Sequence, residues 1–98
     1  MHARDHDVTV VATAAQVSCD LGGEAAVLHL PSGRYYGLNA VGARVWALVR
    51  EPITVARLRA TLLAEYDVAP ERLERDLADL LERLAAAALI EVRDDSAA

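Results

Sequence analysis

The amino-acid sequence predicts an α+β domain in which a small three-stranded antiparallel sheet is followed by three helices. Up to about Leu38 the apolar residues form short runs rich in β-branched side chains, as in strands. After Leu38 they recur at helical spacing. With 98 residues and 54% hydrophobic composition, the chain has the size and composition of one globular domain. Residues 1–7 and 93–98 are predicted to be flexible tails of this domain.

The N-terminal part contains four strand-like segments separated by turn residues. VTVVATA and QVSCDL come first, and the boundary between them is weakly marked. Gly22-Gly23 can supply the positive φ angles of a tight turn before AAVLHL, and Pro31-Ser32-Gly33 fits a type I turn before RYYGL. AAVLHL and RYYGL are therefore expected to be antiparallel neighbours, with RYYGL as the third strand and one of its edges open.

Three helices are predicted after this sheet. Asn39 is a good N-cap for the first helix, which Glu51-Pro52 should end. Thr54 caps the second, in which Val and Leu recur at helical spacing. Pro70 suits the first turn of a third helix that runs to about residue 88. Ile90-Glu91-Val92 predicts a short closing strand.

The third helix has an apolar stripe and a charged flank when it is projected at about 100° per residue. The stripe is expected to face the core, whereas the flank has two interpretations. It forms i,i+4 ion pairs that neutralise each other in solvent, or it recognises a partner. The stripe consists of Leu73, Leu77, Leu80, Leu81 and Leu84. The flank consists of Arg72, Asp76, Asp79 and Arg83.

The charge of the chain argues against binding to nucleic acid. Its formal net charge is −5 and its pI is about 5.0, whereas such proteins usually present a basic surface to the phosphates. A sheet and three helices suggest a winged helix-turn-helix arrangement, and a DNA-binding protein of that kind would present a basic third helix. The segment from residue 71 to 92 instead has three basic and six acidic residues.

Catalytic and metal-binding patterns are weak in this sequence. Cys19 is the single cysteine, which predicts a small buried thiol in a reducing compartment rather than a disulfide or a metal site. His2 and His6 have a spacing that suits a metal only in an ordered helix, so no metal or cofactor is expected. MHARDHD lacks the apolar run of a secretory signal, and no segment is long enough to span a membrane. A non-catalytic cytoplasmic protein is predicted.

One long segment resembles a known family. AVLHLPSGRYYGLNAVGARVWALV, followed by TVARLRATLLAEYDVAPERLERDLADLLERLAAAALIEV, resembles the PqqD-like family, the leader-peptide recognition elements of ribosomally synthesised and modified peptides (RiPPs). The resemblance covers roughly residues 24 to 92 and is greatest to the stand-alone recognition subunit of lasso peptide pathways. Its most specific parts are SGRYYGLN leading into GARVW, and YDV before the leucine-rich helix.

The resemblance implies a winged-helix fold that takes the leader of a precursor peptide as an additional strand, between the third strand and the third helix. Such a subunit works with a separate leader peptidase and a cyclase. From the open strand edge, a monomer or a weak homodimer is expected. On this chain the third strand is RYYGL, and the helical projection supplies the residues opposite it. The expected peptide-binding residues are Arg34, Tyr35, Tyr36, Gly37, Leu38, Arg72, Leu73, Asp76, Leu77, Leu80 and Arg83.

The two adjacent tyrosines of the third strand must point to opposite faces of the sheet. Tyr36 and Leu38 are expected to form the floor of the core and the cleft, which leaves Tyr35 free to meet a partner or solvent. Gly37 either admits another backbone or marks a bulge before the helix. Ordinary sheet packing of both tyrosines remains the alternative. Two other functions also remain open: a peptide chaperone in a pyrroloquinoline quinone-type radical-enzyme pathway, and a winged-helix DNA-binding regulator.

Overall fold

A computed structural model describes residues 8–94, which form two three-stranded antiparallel sheets and three helices. The predicted α+β class, with a three-stranded sheet followed by three helices, is confirmed. In chain order the elements are β1 Val8–Ala12, β2 Gln16–Asp20, β3 Ala25–His29, β4 Arg34–Leu38, α1 Ala40–Leu48, β5 Ile53–Thr54, α2 Val55–Glu65, α3 Pro70–Ala86 and β6 Ile90–Asp94.

The strands β2, β3 and β4 form a meander in that order, so β2 and β4 are its two edges. The turns between them have the geometry that their glycines predict: Gly22 and Gly23 have φ of 73° and 100°, and Gly33 has φ of 71°. Leu28 of β3 lies between Val17 of β2 and the β4 residue Tyr35. The predicted antiparallel pairing of AAVLHL with RYYGL is therefore present.

The hydrogen bonds of this meander follow from its first turn. The Leu21 amide donates to the Glu24 carbonyl at 2.8 Å, which makes these two residues a hydrogen-bonded pair. Because such pairs alternate along an antiparallel ladder, every second residue from there bonds across the same strand pair. Ala26 and Leu28 therefore bond to β2, and the other three residues of β3 bond to β4.

A second sheet, in the order β5-β1-β6, was not predicted. The segment VTVVATA does not pair with QVSCDL, which follows it in the chain. It pairs with β6, in a register that places Val10 opposite Val92. The closing strand at Ile90 is thus present, and it continues through Asp94 into the segment assigned to a tail. Pairing between the two ends of a chain leaves no trace in local periodicity, which explains why the sequence pattern missed this sheet.

The helix ends follow the predicted capping residues. The Asn39 side chain accepts a hydrogen bond from the Gly42 amide at 2.9 Å, and Thr54 Oγ1 accepts one from the Arg57 amide at 3.1 Å. Helix α3 has Pro70 in its first turn and ends at Ala86, two residues before the predicted end. These caps satisfy backbone donors at the starts of α1 and α2 that have no partner within the helix.

The core lies where the helices meet both sheets. Leu58 and Leu62 of α2 are completely buried, as are Val27 of β3 and Val45 of α1. The predicted apolar stripe of α3 also faces inward, with one exception. Leu80 is only partly buried, whereas the stripe residues that belong to the core are Leu73, Leu77, Leu81 and Leu84.

An ion pair joins the first two helices on the surface. Arg44 donates from Nε and Nη2 to the two carboxylate oxygens of Glu65, at 2.9 and 2.7 Å. The hydrogen bond with Arg44 lowers the pKa of the Glu65 carboxyl, and the hydrogen bond with Glu65 raises the pKa of the Arg44 guanidinium. Because solvent reaches both groups, the pair is expected to orient α1 and α2 more than it stabilises them.

Helix α3 ends in a left-handed residue that is not glycine. Ala88 has φ of 62°, its amide donates to the Ala85 carbonyl, and the Leu89 amide donates to the Leu84 carbonyl. This is a Schellman motif, whose left-handed position favours glycine because a Cβ is strained there. We expect Ala88→Gly to raise the free energy of unfolding by about 1 kcal/mol, measured by urea denaturation.

The control for this prediction is Ala78→Gly, at an exposed position inside the same helix. This change should lower the free energy of unfolding by about 1 kcal/mol, because glycine in a helix interior loses more conformational entropy on folding. The two variants therefore differ in the sign of their effect. A loss of stability in Ala88→Gly would contradict strain at the helix end.

None of the helices between residues 8 and 94 has both the length and the hydropathy needed to traverse a bilayer.

Candidate functional site

An open cleft lies between β4 and α3. Its volume is about 1170 Å³. The four elements that bound it are β4, the start of α1, the connection from α2 to α3, and the cleft-facing side of α3. An edge strand, an apolar floor and a charged rim meet here, and each can contribute differently to binding.

The edge of β4 presents free backbone groups to this cleft. Because three residues of β3 bond to β4, their register partners Arg34, Tyr36 and Leu38 direct their amides and carbonyls into the sheet. Tyr35 and Gly37 then direct theirs outward, and β4 has no second strand partner among residues 8–94. An incoming strand can therefore bond to the backbone of these two residues without displacing any part of the sheet.

The two tyrosines face opposite ways, as the strand geometry requires. Tyr35 is 73% exposed on the outer face of the sheet. Tyr36 is half-buried and packs against the core, and Leu38, two residues on, is buried. Gly37 is exposed, and apart from the two adjacent residues no part of the protein lies within 4 Å of where a Cβ would stand. The edge at Gly37 is thus open to the close approach of another backbone.

The floor of the cleft is apolar. Leu38 and Tyr36 of β4 face Leu73 and Leu80 of α3 across it, and Val68 closes the end between the helices. Leu80 is the leucine of the stripe that the core does not fully bury. A ligand side chain that enters a concave apolar surface loses most of its contact with water, and this burial favours binding.

The rim of the cleft is predominantly acidic. Asp76, Asp79 and Arg83 line it from α3, and Asp67 lines it from the connection before that helix. Three acidic side chains and one basic side chain give the rim a formal charge of −2. Asp76 Oδ2 also lies 3.7 Å from Arg72 Nε, in an exposed i,i+4 ion pair. The flank of α3 thus contains an ion pair in solvent and also borders the cleft.

Comparison with known proteins identifies the family. The family model described as coenzyme PQQ synthesis protein D (PqqD) matches residues 24–90, more than half of the chain. The chain belongs to the PqqD family. The resemblance predicted from the sequence is thereby confirmed.

A solved structure is similar to this PqqD-family chain over most of its length. It is described as "TbiB1 in Complex with the TbiA(beta) Leader Peptide". The two sequences are 40% identical, the match covers 83% of this chain and 94% of that one, and the TM-score is 0.77. A search of curated proteins found no match.

Most of the residues singled out from the sequence border the cleft of this PqqD-family chain. Arg34 and Arg72 are exposed but do not line it, and Leu77 is buried in the core. The predicted residues that line the cleft are Tyr35, Tyr36, Gly37, Leu38, Leu73, Asp76, Leu80 and Arg83.

Several residues that line the cleft were not singled out as peptide-binding from the sequence. Val41 and Gly42 belong to the first turns of α1, and Asp67 and Val68 belong to the connection between α2 and α3. The sequence does mark Val68 as a candidate, because it is an isolated apolar residue where the helical pattern breaks. No sequence pattern marks the two α1 residues, since their side of the helix becomes part of the cleft only when β4 and α3 pack beside it.

No group of three or more His, Cys, Asp or Glu side chains suited to a metal ion occurs within residues 8–94. His2 and His6 lie outside the described residues.

Proposed function

We propose that this PqqD-family protein is a RiPP recognition element that binds the leader segment of a precursor peptide as an added strand on β4. The observation that carries the proposal is the free backbone of Tyr35 and Gly37 beside an apolar cleft. Its similarity to TbiB1, whose structure contains a leader peptide, supports the same function. The protein would make no covalent bond itself.

The proposal separates recognition of the leader from chemistry on the core peptide. A bound leader raises the effective concentration of the precursor at any enzyme that associates with the recognition element. We propose that these enzymes are the leader peptidase and the cyclase of a cytoplasmic lasso peptide pathway. The similarity to TbiB1 at 40% identity motivates this choice.

The backbone contacts alone supply a modest affinity. Tyr35 and Gly37 offer two amides and two carbonyls, and each hydrogen bond contributes about 0.5–1.5 kcal/mol net. Ordering a flexible leader consumes much of that free energy. Specific binding therefore depends on apolar leader side chains that enter the cleft against Leu73 and Leu80. Asp76 and Asp79 favour leader residues that are neutral or basic where they pass α3, whereas Arg83 favours an acidic or polar residue beside it.

Titration with a synthetic leader, encoded by a small open reading frame beside the gene, tests this function directly. We expect micromolar or tighter binding, with amide NMR shifts concentrated in β4 and along residues 73 to 84. Absence of leader binding together with salt-sensitive binding to duplex DNA would instead support the winged-helix regulator.

The PqqD description of the family model favours one alternative, a precursor-peptide chaperone in a pyrroloquinoline quinone-type pathway. The cleft would then bind a different precursor by the same strand addition. Parallel titration with a precursor of each class distinguishes the two pathways, because the cognate peptide should bind more tightly.

The charged rim provides a further prediction about specificity. Asp76→Ala and Arg83→Ala are each expected to weaken leader binding about threefold to tenfold, since rim charges contribute modestly to affinity. Glu82→Ala and Arg75→Ala remove the same kinds of charge from exposed positions of α3 that do not line the cleft. These two controls should bind as the wild type does. Equal behaviour of all four variants in calorimetry would exclude this flank from recognition.

A further inference from the structure

The second edge of the meander also has free backbone groups. Strand β2 pairs only with β3 among residues 8–94. Because hydrogen-bonded pairs alternate along the ladder from the Leu21–Glu24 pair, the backbone groups of Val17 and Cys19 bond to β3. Gln16, Ser18 and Asp20 therefore direct their amides and carbonyls away from the sheet. The sequence QVSCD contains neither Pro nor Lys, which commonly protect an exposed edge from pairing, and its one charged residue, Asp20, stands at the end of the strand.

A groove of about 570 Å³ lies beside this edge. Its other side is helix α1, where alanines instead of larger residues leave room for an additional strand. Trp46 also lines the groove; it is 3% exposed, and its indole N–H has no hydrogen-bond acceptor within the described residues. The alanines that line the groove are Ala40, Ala43 and Ala47.

We propose that β2 pairs antiparallel with β2 of a second copy of this chain, about a twofold axis that passes through Ser18. The three outward residues are evenly spaced around Ser18, so this register joins Ser18 to Ser18 of the second copy and Gln16 to its Asp20. All outward amides and carbonyls of both strands are then paired. Registers displaced by two residues leave some of these groups unpaired.

The charges near the edge complement each other in this register. Each Asp20 faces the neutral Gln16 of the second copy, so no carboxylates oppose each other. Arg50 lies beside the axis, because its Nη1 donates to Ser18 Oγ at 3.4 Å. Asp20 of the second copy is then the diagonal neighbour of Ser18 on the same face, within reach of a long basic side chain.

The outer face gains apolar contacts in the same arrangement. Val17 is 56% exposed. Cys19 is also exposed, so the prediction of a buried thiol is wrong, because this residue lies on the outer face of an edge strand. Across the axis Val17 becomes the direct neighbour of Cys19 of the second copy, so each side chain covers part of the other. The result is a continuous six-stranded sheet with the two β4 edges at its far ends. Both clefts stay open, so the dimer carries two leader sites.

Sedimentation velocity in reducing buffer tests the interface without any peptide. Over about three orders of magnitude in protein concentration, we expect a shift toward twice the 10.5 kDa of the chain. Ser18→Pro removes an outward amide without touching the bonds to β3, and should raise the dissociation constant of the dimer at least tenfold. Ser18→Ala keeps that amide and should dimerise as the wild type does.

Disulfide trapping tests the register independently. In Val17→Cys, the new thiol lies opposite Cys19 of the second copy in a non-hydrogen-bonded pair, where Cα atoms about 4.5 Å apart permit a disulfide. Mild oxidation should give covalent dimers in which the introduced thiol is joined to Cys19 of the second copy, as identified by mass spectrometry. Leu30→Cys adds an exposed thiol just after β3, on the side of β2 that already pairs within the sheet, and should give few dimers.

Three results would overturn the proposal: a wild-type protein that stays monomeric up to about 1 mM, a Ser18→Pro variant that is folded and still dimerises, or equal trapping of Val17→Cys and Leu30→Cys. If Ser18→Pro fails to fold, the trapping experiment decides alone. Leader binding is unaffected by any of these results, because β2 and β4 are opposite edges of the sheet.

Discussion

Gly37→Pro is expected to weaken leader binding about a hundredfold, because it removes an outward amide and leaves a leader carbonyl unpaired. The Gly37 amide points away from β3, so the substitution removes no hydrogen bond of the sheet. Proline is tolerated on edge strands for this reason, and Tyr36 already has the extended backbone that proline favours in the preceding residue. Isothermal titration with the synthetic leader measures the loss.

The matched control is Gly37→Ala, which retains the amide. Apart from the adjacent residues, no part of the protein lies within 4 Å of the added Cβ, so the variant should fold as the wild type does. Its affinity for the leader should stay within about threefold of the wild-type value. Strand addition at this edge would be contradicted if Gly37→Pro remained folded and bound the leader normally, or if both variants lost binding equally.

Leu80→Asp is the second large effect that we expect, with leader affinity reduced about a hundredfold. Leu80 lines the cleft and is only partly buried in the free protein. A carboxylate there must lose its hydration when an apolar leader side chain covers it, which opposes binding. Because the position retains contact with solvent, the free protein should tolerate the charge better than a fully buried leucine would.

Ala78→Asp controls for the added charge. This residue is exposed on α3 and does not line the cleft. Its substitution changes the net charge equally, and leader affinity should remain near the wild-type value. Thermal unfolding of both variants establishes whether the helix stays intact. If folded Leu80→Asp bound the leader as tightly as Ala78→Asp does, the apolar floor would have no part in recognition.

The meander and the helix boundaries follow from local chemistry. Gly22-Gly23 and Gly33 allow the positive φ angles of the two turns, and Asn39 and Thr54 supply side-chain oxygens that cap the next elements. The opposite orientation of Tyr35 and Tyr36 follows from the pleat of a strand. These features depend on residues only a few positions apart, which is why the sequence predicts them well.

The second sheet and the composition of the cleft depend on residues far apart in the chain. Nothing in VTVVATA specifies that its partner is the C-terminal strand instead of QVSCDL. Leu77 and Leu80 belong to one predicted stripe, but only Leu80 reaches the cleft, since the packing of α3 against α2 and β6 decides which residues the core covers.

The sequence by itself determined the α+β class, the family, and an open edge at RYYGL, because periodicity, turn chemistry and an ordered set of motifs are all local properties. Only the tertiary structure decided that the cleft has an acidic rim on α3, that Tyr35 and Gly37 carry the free backbone groups, and that β2 forms a second open edge. The free edges depend on which strands pair and in which register, and the rim depends on where α3 packs; contacts between distant parts of the chain set all three.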